Sequence, residues 1–206
     1  MTNSQSWIRN PWVRNFERHN QYFVYSIQHI ENLESIQEHG ILSRYIIQNH
    51  DFPSVDISYP RAQLNRRENA MNNSDGTLNG EVWFRNITSR GYDLHEFVPL
   101  HLVKFAPMWF SPHIQSNISN HCILEISIRK VCKESEVIFA TDGNLVNRET
   151  KFITNPDDIR NIDWEQIKST DPIRSRPGWK RIRAAELLIY PNVPRNAIHD
   201  ICKFPR

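Results

Sequence analysis

The chain has 206 residues, 39% of them hydrophobic, with six Trp, six Tyr and ten Phe, so it can pack one domain, at most with an appended arm. A formal net charge of +2, from 25 Lys plus Arg against 23 Asp plus Glu, excludes a global field that demands a polyanionic partner but leaves room for a local basic groove. Three cysteines without C-x-x-C spacing, Cys122, Cys132 and Cys202, exclude a disulfide framework and a zinc–thiolate site, and point to structural thiols in a reducing compartment.

The first residues, M-T-N-S-Q-S-W-I-R-N-P-W, lack the uninterrupted apolar run of a signal peptide, and no stretch approaches the roughly 20 apolar residues of a membrane span. The expectation is a soluble cytoplasmic protein with no membrane segment. Residues 1–21 read as a polar arm that packs through Trp7, Trp12 and Phe16, and residues 22–206 as the domain. Tyr22 to Ile27, rich in aromatic and β-branched residues, is predicted as a strand. Asn32 is expected to cap a short helix carrying Leu33, Ile36 and Gln37, which His39-Gly40 closes. Ile41 to Ser43 resume an extended path.

From Tyr45 to Arg90 the sequence is loop-like, punctuated by Pro53, Pro60, Asp75-Gly76 and Asn79-Gly80, with a helix start after Pro60. So long an irregular stretch in a compact domain points to a functional loop. Leu94 to Leu102 reads as a strand inside the most apolar part of the chain, followed by a turn and a short helix towards Phe110. Cys122 to Ile128 alternates cleanly as a strand. Val137 to Ala140 is another, ending in the turn Thr141-Asp142-Gly143-Asn144. Asn155 and the Ile162-Asp163-Trp164-Glu165 segment open two short helices. Ala185 to Tyr190 is the next strand, and Ala197 to Cys202 follows after a short turn. Short strands, short helices and long loops say α+β.

Six glycines form neither G-x-G-x-x-G nor G-x-x-x-x-G-K-[ST], so any nucleotide is held without a Gly-rich phosphate loop. Nine histidines offer no H-x-x-x-H on a clear helix, and no metal is expected. The informative residue is Glu186, at the head of the apolar run Leu187-Leu188-Ile189. A buried carboxylate costs several kcal/mol unless it is paired or used. It is either a strand-start partner of Arg183 or Lys180, or a reacting group with helpers among His29, Arg66, Arg67, Thr141 and Asp142.

Taken together, several segments resemble the DarT family of DNA ADP-ribosyltransferase toxins. Y-S-I-Q-H-I-E-N-L-E-S-I-Q-E-H-G-I-L-S (Tyr25 to Ser43) is similar to the family's N-terminal pattern. I-S-Y-P-R-A-Q-L-N-R (Ile57 to Arg66) resembles the segment that delivers its catalytic arginine. L-H-E-F-V-P-L-H-L-V-K-F-A-P-M-W-F (Leu94 to Phe110) is similar to its L-H-D-Y-V-P-F-Y-F block, and V-I-F-A-T-D-G-N (Val137 to Asn144) to its F-x-F-T-D turn. I-D-W-E (Ile162 to Glu165) recurs, and R-I-R-A-A-E-L-L-I-Y (Arg181 to Tyr190) matches its K-R-x-A-E-x-L-V strand.

The resemblance implies an ADP-ribosyltransferase-like split β-sandwich, with NAD in a cleft between two small sheets and ADP-ribose passing to a base of single-stranded DNA. It places the catalytic residues on Glu186 and Arg66. Glu186 stabilises the positive charge that develops on the ribose, and Arg66 either holds the pyrophosphate or helps deprotonate the base. It places NAD contacts on Ser26, Gln28, His29, Asn32, Gly40, Leu42, Tyr59 and Arg66, and DNA contacts on Arg67, His95, Met108, Thr141 and Asp142. It also implies a macrodomain antitoxin (DarG-like) as partner. Two other readings stay open from sequence: an ADP-ribosyltransferase acting on RNA or protein, and a catalytically silent relative that binds nucleic acid.

Overall fold

The computed structural model describes residues 10–57, 94–145, 147, 149–169 and 178–204. Asn10 caps the first helix: its Oδ1 accepts the N–H of Trp12 at 2.9 Å and of Val13 at 3.4 Å, and Pro11 takes the first helical position of α1 (Pro11–Arg18). The helix then lays Trp12, Val13 and Phe16 into the core. Strand β1 (Phe23–His29) follows, then a 3-10 turn (Ile30–Asn32) and α2 (Leu33–His39).

Gly40 ends α2 with φ 78°, and a Cβ there would sit 2.2 Å from the carbonyl oxygen of Val193. Only glycine accepts both the left-handed backbone and that approach. The approach lets β2 (Ile41–Leu42) pair with β8 (Asn192–Val193) as a small separate sheet. Helix α3 (Arg44–Asn49), capped by Ser43, occupies the start of the stretch expected to be loop. It buries no residue, so it carries no apolar stripe to read.

The main sheet has seven strands in the order β6-β5-β7-β3-β1-β4-β9, every neighbouring pair antiparallel. Its further strands are β3 (Val98–His101), β4 (His121–Ser127), β5 (Val137–Thr141), β6 (Phe152–Ile153), β7 (Glu186–Tyr190) and β9 (Ile198–Lys203). Four short helices, α4 (Pro112–Gln115), α5 (Ile128–Glu134), α6 (Trp164–Lys168) and α7 (Trp179–Ile182), connect them. The strand expected over Leu94 to Leu102 is shorter, because Leu94–Glu96 is a 3-10 turn. Asn155 and Asp163 cap the 3-10 helix Pro156–Asn161 and α6, as expected.

The sheet is nearly split in two. β1 and β4 pair along seven residues, whereas β1 and β3 share only the registered pair Tyr25↔His101. Leu102 donates its N–H to Ala185, so the even-numbered residues of β3 face β7 with their donors. Pro99, which has no N–H, therefore falls on the side facing β1, where the ladder lapses. Gln21 bridges the gap by donating from Nε2 to the carbonyls of Phe23 at 2.6 Å and Leu102 at 2.9 Å. The two small sheets expected from the resemblance are joined here in one large antiparallel sheet, whose halves β6-β5-β7-β3 and β1-β4-β9 meet at the β1–β3 pair.

The unbroken apolar run of β7 follows from burial on both faces. Leu187 and Ile189 point into the large core with Leu100, Leu124 and Phe16, while Leu188 and Tyr190 pack against Phe97 and Phe139 on the other face. A third cluster, Ile27, Trp109, Ile114 and Ile123, sits on the β1–β4 half. Among the described residues no helix is long and apolar enough to cross a membrane.

Candidate active site

Between the two smaller clusters, at the split of the sheet, lies a cavity of about 920 Å³. That is within the range of small-molecule and cofactor sites. Strand β1 contributes Ser26, Ile27 and Gln28, β3 contributes Val98, Pro99 and His101, and β7 contributes Glu186. Strands β4 and β5 add nothing to the described wall. They pair outside β1 and β7 respectively and serve as backing.

Glu186 is 1% exposed and lines the cavity. The expected ion pair with Arg183 or Lys180 is not how those cations are used. Arg183 donates to the carbonyls of Gln166, Ile167 and Ser169 at 3.2, 3.4 and 2.8 Å, closing the C-terminal end of α6. Burial lowers its pKa from the usual arginine value. Lys180 holds its ammonium 5.7 Å from the ring centre of Trp179.

The registers align a polar row across the sheet, Glu186↔His101↔Tyr25↔Glu125↔Asp200. Residues directly opposite one another share a face. The row therefore runs along the cavity face, from a buried carboxylate at one end to an exposed one at the other. Burial, then the Glu125 carboxylate, raises the Tyr25 phenol above its usual value. The thiols of Cys122 and Cys132 are pushed up to about 11 and about 12, chiefly by burial, so both stay protonated.

Of the residues assigned from the resemblance, Ser26, Gln28, Asn32, Gly40, Leu42, His95, Met108 and Glu186 come together in the wall. His29 stands one residue beyond Gln28, its ring 5.5 Å from that of His121 and its Nδ1 accepting the N–H of Glu31. Thr141 and Asp142 are not part of the wall. Asp142 holds Arg181 at 2.9 Å and accepts the N–H of Lys151 at 2.8 Å. Tyr59, Arg66 and Arg67, and the helix expected after Pro60, lie outside the described residues.

Asn32 takes the N-cap position of α2, but its side chain makes no capping bond. Its amide instead donates to the carbonyl of Val55 at 3.0 Å and accepts the N–H of Val55 at 2.7 Å. With the Arg44–Asp56 ion pair at 3.0 Å, it fastens residues 52–57 as one side of the cavity. Asn32→Ala removes both bonds to Val55, each worth about 1 kcal/mol. We expect KM for the bound substrate to rise roughly three- to tenfold with kcat little changed, measured by steady-state kinetics. An unchanged KM would show that the clamp does not shape the site.

Sequence reading missed His101, Asn144, Arg44 and the 52–57 segment as wall residues. The alternation of β3 carries a signal for His101, since it falls on the same strand face as Pro99. Nothing periodic marks residues 52–57, whose place depends on Asn32 and Arg44. Among the described residues no group of three or more His, Cys, Asp or Glu could hold a metal ion.

A family model described as ssDNA thymidine ADP-ribosyltransferase, DarT, matches residues 25–204. No curated protein matches the chain. Among solved structures, the chain is similar to Thermus sp. 2.9 DarT in complex with ADP-ribosylated ssDNA, at 22% identity and a TM-score of 0.68, over 91% of this chain and 83% of that one. It is similar to the same protein in complex with carba-NAD+, at 20% identity and a TM-score of 0.63, over 90% and 84%. Thermosipho africanus DarTG in complex with ADP-ribose gives 24% identity and a TM-score of 0.68, over 90% of this chain and 44% of that one. At these identities the likeness is one of fold.

Proposed function

The chain belongs to the DarT family of single-stranded-DNA thymidine ADP-ribosyltransferases, and from that premise we propose that Glu186 and Arg66 carry the chemistry at the cavity on the split sheet. The observation that carries this reading is a glutamate 1% exposed that lines a cavity of about 920 Å³. NAD supplies the ADP-ribosyl group, with nicotinamide leaving on the bonding electron pair. The cavity suits it: apolar side chains such as Ile27, Phe52 and Ile114 alternate with the polar groups of Ser26, Gln28 and His95.

Glu186 stabilises the positive charge that grows on the ribose as the glycosidic bond breaks. A nitrogen of the base then bonds to that ribose carbon and passes its proton to the Glu186 carboxylate or to water, with Arg66 assisting its removal or holding the pyrophosphate. Ser26, Gln28, His29, Asn32, Gly40, Leu42 and Tyr59 form the donor side, Asn32 acting through Val55. Arg67, His95 and Met108 form the DNA side. A single strand suits this site because its base edges are accessible without extrusion from a duplex. Residues 22–206 form the transferase domain, onto whose core the preceding segment packs through Trp12, Val13 and Phe16. The protein acts in the cytoplasm as a toxin, opposed by a macrodomain antitoxin that removes the ADP-ribose.

Incubation of the purified chain with NAD labelled in its ADP-ribose, separately with single-stranded DNA, duplex DNA, RNA and protein extract, tests the acceptor. We expect label on single-stranded DNA and little on the other three. Label on RNA or protein instead would overturn the DNA assignment, and no label on any acceptor would overturn the enzymatic one.

A further inference from the structure

The turn Thr141 to Asn144 carries no residue that any part of the proposed chemistry needs in contact with substrate, yet its first residue bonds directly to the backbone of Glu186. Strands β5 and β7 pair by backbone up to Ala140↔Leu187, and the ladder stops one residue short of Glu186. There the side chain of Thr141 replaces the missing rung. Its Oγ1 accepts the N–H of Glu186 at 3.0 Å, and its O–H donates to the carbonyl of Gly143 at 2.7 Å. The carbonyl of Glu186, at 3.4 Å, is the longer alternative for the same proton.

Thr141 is fully buried and absent from the cavity wall, so the hydroxyl does not reach a ligand. Its second partner is itself immobilised. Asp142 is held by Arg181, and Arg181 crosses Gly143 so closely that a Cβ there would lie 2.6 Å from its Cγ. Thr150 donates to the carbonyl of Asn144 at 2.6 Å, closing the turn from the far side. A rigid turn thus grips the N–H of the one residue whose carboxylate enters the cavity from β7.

We propose that Thr141 is a positioning residue for Glu186: its hydroxyl fixes the backbone, and through it the carboxylate, at the first position of β7. This rests on the catalytic role proposed for Glu186. The β3 ladder holds Glu186 opposite His101 on one side, and on the other side, where the β5 ladder has run out, the Thr141 hydroxyl takes its N–H. A displacement of the order of 1 Å at a reacting group costs about a hundredfold in rate.

The test compares Thr141→Val, Thr141→Ser and Glu186→Gln with wild type in steady-state transfer of ADP-ribose from NAD to single-stranded DNA, each rate normalised to folded protein by thermal melting and NAD titration. Thr141→Val keeps the shape and removes the hydroxyl, so kcat should fall at least about tenfold while KM for NAD stays within about threefold. Thr141→Ser restores the hydroxyl and should recover kcat to within about threefold of wild type. A hydroxyl that served only the fold would lower the melting temperature without this division between kcat and KM. Equal losses in the Val and Ser variants, a loss confined to KM, or a Val variant within about twofold of wild type would each overturn the proposal. Should Thr141→Val fail to fold, Thr141→Ala replaces it against Thr141→Ser with the same outcomes. Wild type without transfer defeats the functional reading and takes this one with it. Active wild type, inactive Glu186→Gln and wild-type-like Thr141→Val defeat this one alone.

Discussion

Glu186→Gln should lower kcat for transfer to single-stranded DNA by about a hundred- to a thousandfold, the usual cost of removing one preorganised group that answers charge in the transition state. The substitution keeps volume and shape in a position 1% exposed, so the fold should survive, which thermal melting checks. Because the lost interaction belongs mainly to the transition state, affinity for NAD should change little. Expressed alone in a bacterium, the wild-type chain should stop growth and induce a DNA-damage response, and the Gln form should do neither. Activity per folded molecule equal to wild type would make the carboxylate structural. Equal growth of the two strains, with soluble wild-type protein, would remove the toxin reading.

Phe16→Ala should destabilise the protein by about 3–5 kcal/mol, the range for emptying a buried aromatic site. For a chain of this size that is a fall of roughly 10 °C in melting temperature. Phe16 is fully buried, edge-on to Trp164 at 6.1 Å and stacked on Trp12 at 6.4 Å. The helix around it is fastened from several directions. Asn10 donates to the carbonyl of Cys132 at 2.9 Å, Asn15 to Asp157 at 2.9 Å, and Glu17 pairs with Arg129. A melting temperature within about a degree of wild type would show that α1 is a detachable arm rather than part of the core that carries the sheet.

The elements that read most clearly from sequence are those in which local and tertiary preferences agree. Cys122 to Ile128 is rich in β-branched and apolar residues, and His121–Ser127 is the strand found, buried on both faces at its first four positions. The Gly40 stop was legible because only glycine accepts its backbone angle. Asn10-Pro11 was an equally good helix start, but α1 went unread because polar spacing hid its aromatic face. Helix α3 and the two-residue strands β2, β6 and β8 have too few residues for any period to show.

By itself the sequence determined the class of fold, the family and the carboxylate: short strand and turn signals in a fixed order, and Glu186 at the head of an apolar run, are local facts. Tertiary structure alone decided what surrounds that carboxylate. His101 stands opposite Glu186 through the register of β3 on β7, Asn32 turns from helix cap to clamp because Val55 lies within reach, and Thr141 meets the N–H of Glu186 across 45 positions of chain. These contacts join residues far apart in sequence, and hydrogen-bond geometry between distant segments leaves no periodicity in any one of them.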